Sequence, residues 1–556
     1  MSQNSTPNVL FIMADQMKSS ILRMYSEIGI ETPTLERLAD EGVRFEHAIT
    51  PHPLCVPART SVMTGRYPHS TGCRRNETLM PENEQHAFRI WKDNGFTTGL
   101  IGKNHAFVEQ SDLDLFDVRC EVSHVGLPKD NRYKGANVGN TGMEWVVPEA
   151  DINAGHEDRA ALRKNGQSPR IAYKISDNPE ENFGTSVIAS QTEAFLEKYV
   201  AGDFAATDSG EPDPFALWVS FPDPHEPYEA PRRYVDMFPP EDVVMPPQRT
   251  DEYTDGTAPE RNRMLAKLLR QTDDSEEDRR GLVSVYQAMT RFVDDGIGRV
   301  LDKLEQLGLR ENTIVVFTAD HGDFGGEHGM AVKGGVFYDA LVQVPLIVSW
   351  PAGGVPQGVS DDSMANTIDI LPTLLELQGL ASFDGIGTGW ARNGGHEDTV
   401  LSETETRRMQ GRPLPTVTSA DARHAAFSEY GAGGPLVTMD MLDDLPKPLG
   451  YESLIHTLWA REAEGRRKMV RTKEWKYVTD PMARGATLTS GSDGGPGDVD
   501  ELYDLTKDPW ELKNVAHLPE NADVISELRS LLAGWMIDTE DPSPIEMPTS
   551  VGSTVL

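Results

Sequence analysis

Short apolar runs alternate with segments of helical period along most of the chain. "NVLFIMAD" (8–15), "TTGLIGK" (97–103), "FALWVSF" (215–221), "NTIVVFTAD" (312–320) and "VPLIVSW" (344–350) are nearly continuous in apolar residues. That is the pattern of strands buried on both faces. Between them, "TPTLERLADEG" (32–42), "AFRIWKDNG" (87–95), "SVIASQTEAFLEKYV" (186–200), "GLVSVYQAMTRFVDDGIGRVLDKLEQLG" (281–308) and "TIDILPTLLELQG" (367–379) carry the helical period. Thr32 or Thr34 is placed to cap the first of these helices, Gly42 to end it, and Gly308 to close the long one. The alternation predicts an α/β fold: a large mixed, mostly parallel sheet sandwiched by helices.

The rhythm breaks in three places. Residues 120–180 are polar and rich in Gly and Asn, and residues 208–214 and 239–262 are rich in Pro and Asp. These read as surface insertions of the kind that shape binding sites. After about residue 435, "KMVRTKEWKYVTD" (468–480) and "DELYDL" (500–505) read as hairpin strands around an acidic, Gly-rich loop, "SGSDGGPGD" (490–498). A helix, "ADVISELRSLLAGWM" (522–536), follows. The expected division is a catalytic unit over 1–435 and a smaller α+β unit over 436–556.

Composition narrows the partners. The chain has 556 residues, 38% of them hydrophobic, which is enough for a large core. Eighty-eight acidic against 52 basic residues give a formal charge of −36. Such a surface repels nucleic acid and anionic membranes. The sequence shows neither a signal-peptide pattern nor a membrane-length apolar run. Three cysteines without repeated spacing suggest no disulfide framework. A reducing cytoplasm is the expected compartment, where the Asn-x-Ser/Thr sequences at Asn4 and Asn76 have no meaning. An anionic substrate would therefore need a local cationic pocket. Homo-oligomerisation is left open.

Functional groups in such a sheet collect at the carboxyl ends of strands. Four predicted strands run into Asp15-Gln16, Lys103-Asn104-His105, "PDPHEPY" with His225, and Asp320-His321-Gly322-Asp323. A strand-terminal Asp or a lone His is ordinarily structural, but four such ends in one sheet are not ordinary. Asp15, Gln16, Asp320 and His321 form a metal cradle on paper. Oxygen ligands suit Ca2+ or Mg2+, and an imidazole moves the choice toward Mn2+. Arg59, Lys103 and Lys333 would supply positive charge for an oxyanion.

Cys55, in "HPLCVPART" (52–60), has three readings. It is a small buried side chain, or a thiolate activated at the start of a helix opening at Pro57 and ending at Gly65, or a residue that is chemically converted. The third comes from resemblance. "PLCVPARTSVMTG" resembles the Cys-x-Pro-x-Arg signature of the sulfatase family, within the alkaline-phosphatase-like superfamily. "GFTTGLIGKNH", "SFPDPHEPY", the stretch from Asp294 to Gly329, "WKYV" and "ELYDLTKDPWELKNVA" resemble further blocks of that family, in order.

The resemblance implies that a formylglycine-generating maturation enzyme converts Cys55 to Cα-formylglycine, whose hydrate attacks the sulfur of a sulfate monoester. It implies one divalent metal, Ca2+ first with Mn2+ or Mg2+ as alternatives, on Asp15, Gln16, Asp320, His321 and the modified Cys55. Arg59 would assist the attack, and Lys103 and Lys333 would bind sulfate oxygens. His225 with Lys333 would protonate the leaving alcohol, which is aryl, alkyl or carbohydrate, and His105 would take the last proton. Gln16 stands where many members have Asp, His321 where many have Asn, and Val56 where a small residue is usual. The first two departures resemble the phosphonate monoester hydrolase and bacterial arylsulfatase branch, so a phosphonate monoester or phosphodiester hydrolase is the alternative. A non-catalytic oxyanion-binding homologue is the third reading. His69 and His328 are expected to play supporting roles near the pocket, Cys73 and Cys120 to be inert, and the Trp and Tyr residues of 451–478 to be core.

Overall fold

The computed structural model describes residues 6–76, 78, 80–82, 84–122, 173–204, 212–270, 274–381, 409–432, 465–480 and 500–539. Most of the 120–180 insertion, part of the 208–214 stretch, the loop at 490–498, Asn4, Tyr451 and Trp459 lie outside the described residues.

The main sheet is built from β1 (Asn8–Ala14), β2 (Val43–Ile49), β3 (Thr97–Gly102), β4 (Val118–Glu121), β5 (Phe215–Phe221), β6 (Thr313–Ala319), β7 (Leu346–Ser349) and β8 (Val359–Asn366). Their spatial order is β8-β2-β7-β6-β1-β5-β3-β4, with the two-residue strand Gln343–Val344 also paired to β2. β7 runs antiparallel to both its neighbours, and the other pairs along this path are parallel. The mixed, mostly parallel sheet predicted from the apolar runs is what forms. Every residue of β1, β3, β5 and β6 is buried, as strands covered on both faces must be.

Helices cover the sheet in two groups. One comprises α1 (Pro33–Asp40), α4 (Gly184–Ala201) and α5 (Glu276–Gln306), and the other α2 (Cys55–Thr64), α3 (Ala87–Asp93) and α6 (Ile370–Leu377). α5 starts five residues before the periodic stretch, where Ser275 caps it by accepting from the Asp278 N–H at 3.0 Å. Neither Thr32 nor Thr34 caps α1. Thr32 occupies the cap position, but the free N–H groups of Thr34 and Leu35 donate to the Asp294 carboxylate of α5, at 3.1 and 2.9 Å. A buried acid from a distant helix thus replaces the local cap, which local sequence rules do not see.

The smaller sheet orders β9 (Ala426–Tyr430), β10 (Arg467–Arg471), β11 (Trp475–Thr479) and β12 (Glu501–Asp504) as an antiparallel meander, with α7 (Ala522–Asp538) packed on it. Its edge strand β9 comes from upstream of residue 435. Asn366, at the end of β8, stitches the two sheets together. Its amide donates to Ile49 O at 3.0 Å and Phe427 O at 2.9 Å, and its carbonyl accepts from Phe427 N at 3.0 Å and Tyr67 OH at 2.9 Å. All the hydrogen-bonding capacity of this buried amide is used, so a substitution would strand several partners. Nearby, His52 stacks on Tyr430 with ring centroids 5.2 Å apart. Among the described residues no helix is long and apolar enough to cross a membrane.

Two predictions follow from these joints. Asp294→Ala should lower unfolding stability by about 1–2 kcal/mol in chemical denaturation, with Asp294→Asn losing less because one acceptor survives. Burial pushes the His52 imidazole down to about 3, so the folded state keeps it neutral where the unfolded chain would protonate it. Its contribution is therefore complete above the unfolded value near 6.5 and is lost as pH falls toward 3. His52→Phe, which keeps a ring against Tyr430, should flatten the acid-side decline in melting temperature. An unchanged decline would remove His52 from the account.

Candidate active site

The strand order decides which side chains meet. β6, β1, β5 and β3 are adjacent and parallel, so Asp320-His321, Asp15-Gln16, the segment leading to His225, and Lys103 leave one edge of the sheet side by side. The chain bends sharply there. Gln16, His105 and Val332 adopt left-handed backbone at φ 62°, 56° and 63°. Such strain in non-glycine residues clusters at functional sites, and it is unusual for a β-branched residue such as Val332. Gly102, at φ 109°, permits the close approach of β3 to β5, where Lys103 N bonds Ser220 O at 2.8 Å. A Cβ on Gly102 would lie 1.9 Å from that carbonyl.

α2 begins at Cys55 itself, two residues earlier than Pro57 predicts, and ends at Gly65 in left-handed conformation. The cap residue Leu54 offers no side-chain bond, and the Val56 N–H is instead taken by the Asn76 carbonyl oxygen at 3.1 Å. All ten residues of α2 are buried, which fixes Cys55 at the helix N-terminus and Arg59 one turn on, facing the same way. Arg59 is wholly buried. It donates to Asp320 Oδ2 at 2.8 Å, Ser220 Oγ at 2.8 Å and Lys103 O at 3.0 Å, and lies 3.4 Å from Asp15 Oδ2.

Around Cys55 Sγ stand His321 Nε2 at 3.1 Å, Asp15 Oδ1 at 3.8 Å and Lys103 Nζ at 3.8 Å. One donor atom each from Asp15, Cys55, Asp320 and His321 fall within 4.8 Å of one another. The His321 ring is oriented by its Nδ1, which donates to Gly322 O at 2.9 Å and so aims the Nε2 lone pair at the cluster. Burial, outweighing the pull of Asp320, holds this imidazole below its usual pKa, in the neutral form that a metal ligand needs. For Asp320, burial is outweighed by the charges around it, of which Arg59 and Lys103 are the permanent cations, and the carboxyl is held well below its usual range. Two carboxylates and a neutral imidazole, all buried, fit one divalent cation, so these residues could bind a metal.

Gln16 stands beside this set rather than wholly within it. Its carbonyl oxygen accepts from Lys333 Nζ, and its amide donates to Glu226 at 3.0 Å and to Asp323. Lys333 Nζ also bonds His225 Nε2 at 2.7 Å, while His225 Nδ1 donates to the backbone oxygen of Glu226 at 2.5 Å. Burial opposes the charge on Lys333, but Glu226 above all, then Cys55, Asp15 and Asp320, raise its pKa. Lys103 pairs with Asp15. His105 lies nearby, and burial, then Lys103 and Arg59, hold it well below its usual value. Arg59, Lys103 and Lys333 bring positive charge to the site, each beside a buried carboxylate: Asp320, Asp15 and Glu226.

Burial first, and Asp15 next, push the Cys55 thiol up to about 12. Despite its helix N-terminal position the encoded thiol is not an activated thiolate near neutral pH, and its pairing with His321 is one that sequence alone could not tie together. Cys73 and Cys120 are buried, with their thiols pushed up by the same cause to about 12 and further. His69 bonds Glu429 at 2.8 Å and Thr539 O at 3.2 Å, and His328 bonds Glu252 at 2.5 Å and stacks on Tyr338. Neither contact reaches Cys55. Sequence reasoning placed Asp323 at a strand end and Glu226 and Tyr228 in the His225 block without giving them a role, and it missed Ser220. Asp323 accepts from Tyr228 OH at 2.6 Å and Gly325 N at 2.6 Å, anchoring Gln16 from behind. The adjacency of Glu226 to His225 was an available signal.

A sulfatase family model matches residues 7–380. An ulvan-active sulfatase of Formosa agariphila is 28% identical over 386 residues, 68% of this chain and 63% of its own length. This chain thus spans less than two thirds of that relative. The choline-sulfatase of Rhizobium meliloti is 25% identical over 527 residues, covering 92% of this chain and 83% of its own. Among solved structures, the phosphonate monoester hydrolase of Agrobacterium radiobacter superposes with a TM-score of 0.62 at 22% identity, over 96% of both chains. The match encloses all ten of the site residues expected from the sequence, Asp15, Gln16, Cys55, Arg59, Lys103, His105, His225, Asp320, His321 and Lys333, and the chain belongs to the sulfatase family.

Proposed function

We propose that this protein hydrolyses a sulfate monoester at residue 55 after maturation of Cys55 to Cα-formylglycine. The observation that carries the reading is the convergence of Asp15, Cys55, Asp320 and His321 within 4.8 Å, ringed by Arg59, Lys103 and Lys333. A thiol held at about 12 is a poor nucleophile as encoded, and a conversion that removes the sulfur resolves that. The hydrated aldehyde would supply a hydroxyl nucleophile and an exit by elimination that a serine or cysteine ester lacks.

One divalent cation, Ca2+ first with Mn2+ or Mg2+ as alternatives, would be held by Asp15, Asp320, His321 and residue 55, with Gln16 at its flank. It would supply charge stabilisation to the sulfate oxygens and to the attacking hydroxyl. Asp15 and Asp320 are already offset by Lys103 and Arg59, so a cation leaves the pocket positive. Lys103 and Lys333 then orient the sulfate and bear the charge that builds on it. Lys333 and His225, bonded at 2.7 Å, form a proton-delivering pair for the leaving alcohol. His105, kept neutral by its surroundings, is suited to accept the final proton. The formylglycine-generating enzyme is the maturation partner this reading requires, and 1–435 is the unit that carries the chemistry.

A second reading, a phosphonate monoester or phosphodiester hydrolase with the same groups, is favoured by one observation. The side-chain carbonyl of Gln16 replaces a third carboxylate and engages Lys333, leaving a less anionic site. Matured protein should hydrolyse 4-nitrophenyl sulfate with kcat/KM at least about tenfold above that for an aryl phosphonate monoester, a difference of about 1.4 kcal/mol in barrier. The reverse ratio would establish the second reading. Cys55→Ala should abolish both activities while far-UV circular dichroism stays unchanged, and substantial residual turnover would refute the role of residue 55.

A further inference from the structure

Lys333 sits on a segment whose next carbonyls are gripped by buried cations from the smaller sheet. Arg467 of β10 donates from Nη1 to Gly335 O at 2.7 Å, and Arg261 donates from Nε to the same oxygen at 2.9 Å. Lys476 of β11 donates to Phe337 O at 2.7 Å. Lys476 is wholly buried, and it also pairs with Asp339 and Glu511, anchoring the far end of the segment. The guanidinium carbons of Arg261 and Arg467 lie 5.1 and 5.2 Å from the centroid of the Tyr430 ring. Gly335 is seated directly on this stack. A Cβ there would come within 2.2 Å of Arg261 Nη2 and 2.3 Å of the Tyr430 ring.

Burying a guanidinium is costly, and Arg467 lies 3.9 Å from the Asp480 carboxylate. It also bonds a backbone carbonyl two residues from Lys333 at 2.7 Å. Charge-assisted bonds of this kind fix a loop more tightly than neutral ones. Val332, in left-handed conformation just before Lys333, is the strained end of the same loop and needs such restraint to persist.

We propose that Arg467 and Lys476 are positioning residues that hold Lys333 toward Cys55 through the carbonyls of Gly335 and Phe337, so that the smaller sheet completes the active site. The inference rests on the reading of Lys333 as an anion-binding group.

A double-mutant cycle tests it. Wild-type matured protein, Lys333→Ala, Arg467→Met and the double variant are compared by kcat and KM on 4-nitrophenyl sulfate and by calorimetric binding of inorganic sulfate. Arg467→Met should lower kcat/KM and sulfate affinity about tenfold in the wild-type background, but less than about twofold when Lys333 is already Ala. Gly335→Ala, which drives the loop off its seat on Arg261 and Tyr430, should reproduce this pattern and decides the matter if Arg467→Met fails to fold. Losses that multiply undiminished, or sulfate affinity and kcat/KM untouched in both loop variants, overturn the proposal. Coupled sulfate binding without any turnover would leave the positioning role standing and remove the sulfatase reading. Turnover with an additive cycle would do the reverse, and a wild type that binds no sulfate overturns the positioning role.

Discussion

Asp15 and Asp320 are carboxylates with no exposure to water, placed on neighbouring strands at one edge of the sheet. Burying two like charges a few ångströms apart is prohibitive unless cations are buried with them. Arg59 and Lys103 meet that need, and each must come from a different element: α2 for Arg59, the end of β3 for Lys103. The strand order, the start of α2 at Cys55 and the glycine contact between β3 and β5 all serve this one compensation. Once it is in place Cys55 has no freedom, since it lies between the carboxylates, the imidazole and the lysine.

The same compensation makes the site chemically usable. A neutral cluster of two acids and two bases gains net positive charge when a divalent cation enters, and Lys333 adds to it from a separate loop. An overall acidic chain can then attract a small anion to one point while its surface repels polyanions. Dividing the cations among three supports also separates their tasks. Arg59 is tied to Asp320, Ser220 and the Lys103 carbonyl, Lys103 is tied to Asp15, and Lys333 is shared between Gln16 and His225.

Much of this was legible in the sequence, for identifiable reasons. Continuous apolar runs such as "FALWVSF" have no other stable home than a buried parallel strand, and their polar ends mark the edge where chemistry collects. The order of the strands was not legible, so the adjacency of Asp15 to Asp320 could not be derived. Long-range satisfaction was equally hidden. Asp294 caps α1 from 260 positions away, Asn76 takes the Val56 N–H, and Asn366 binds the two sheets. Each is a polar side chain whose partner is set by tertiary packing, while local rules pointed to Thr32, Thr34 or Pro57. Gln16 shows a subtler limit. Its position at a strand end marked it as functional, but which of its two amide atoms would face which neighbour depended on Lys333 and Asp323, more than 300 residues away.

The central claim is that residue 55 works as something other than the cysteine that is encoded. Peptide mapping by mass spectrometry of protein produced with and without a formylglycine-generating enzyme, paired with turnover of an aryl sulfate on the same samples, addresses it most directly. An aldehyde or its hydrate should stand at position 55, with activity proportional to the converted fraction. Full turnover from protein in which Cys55 is wholly unmodified would contradict it.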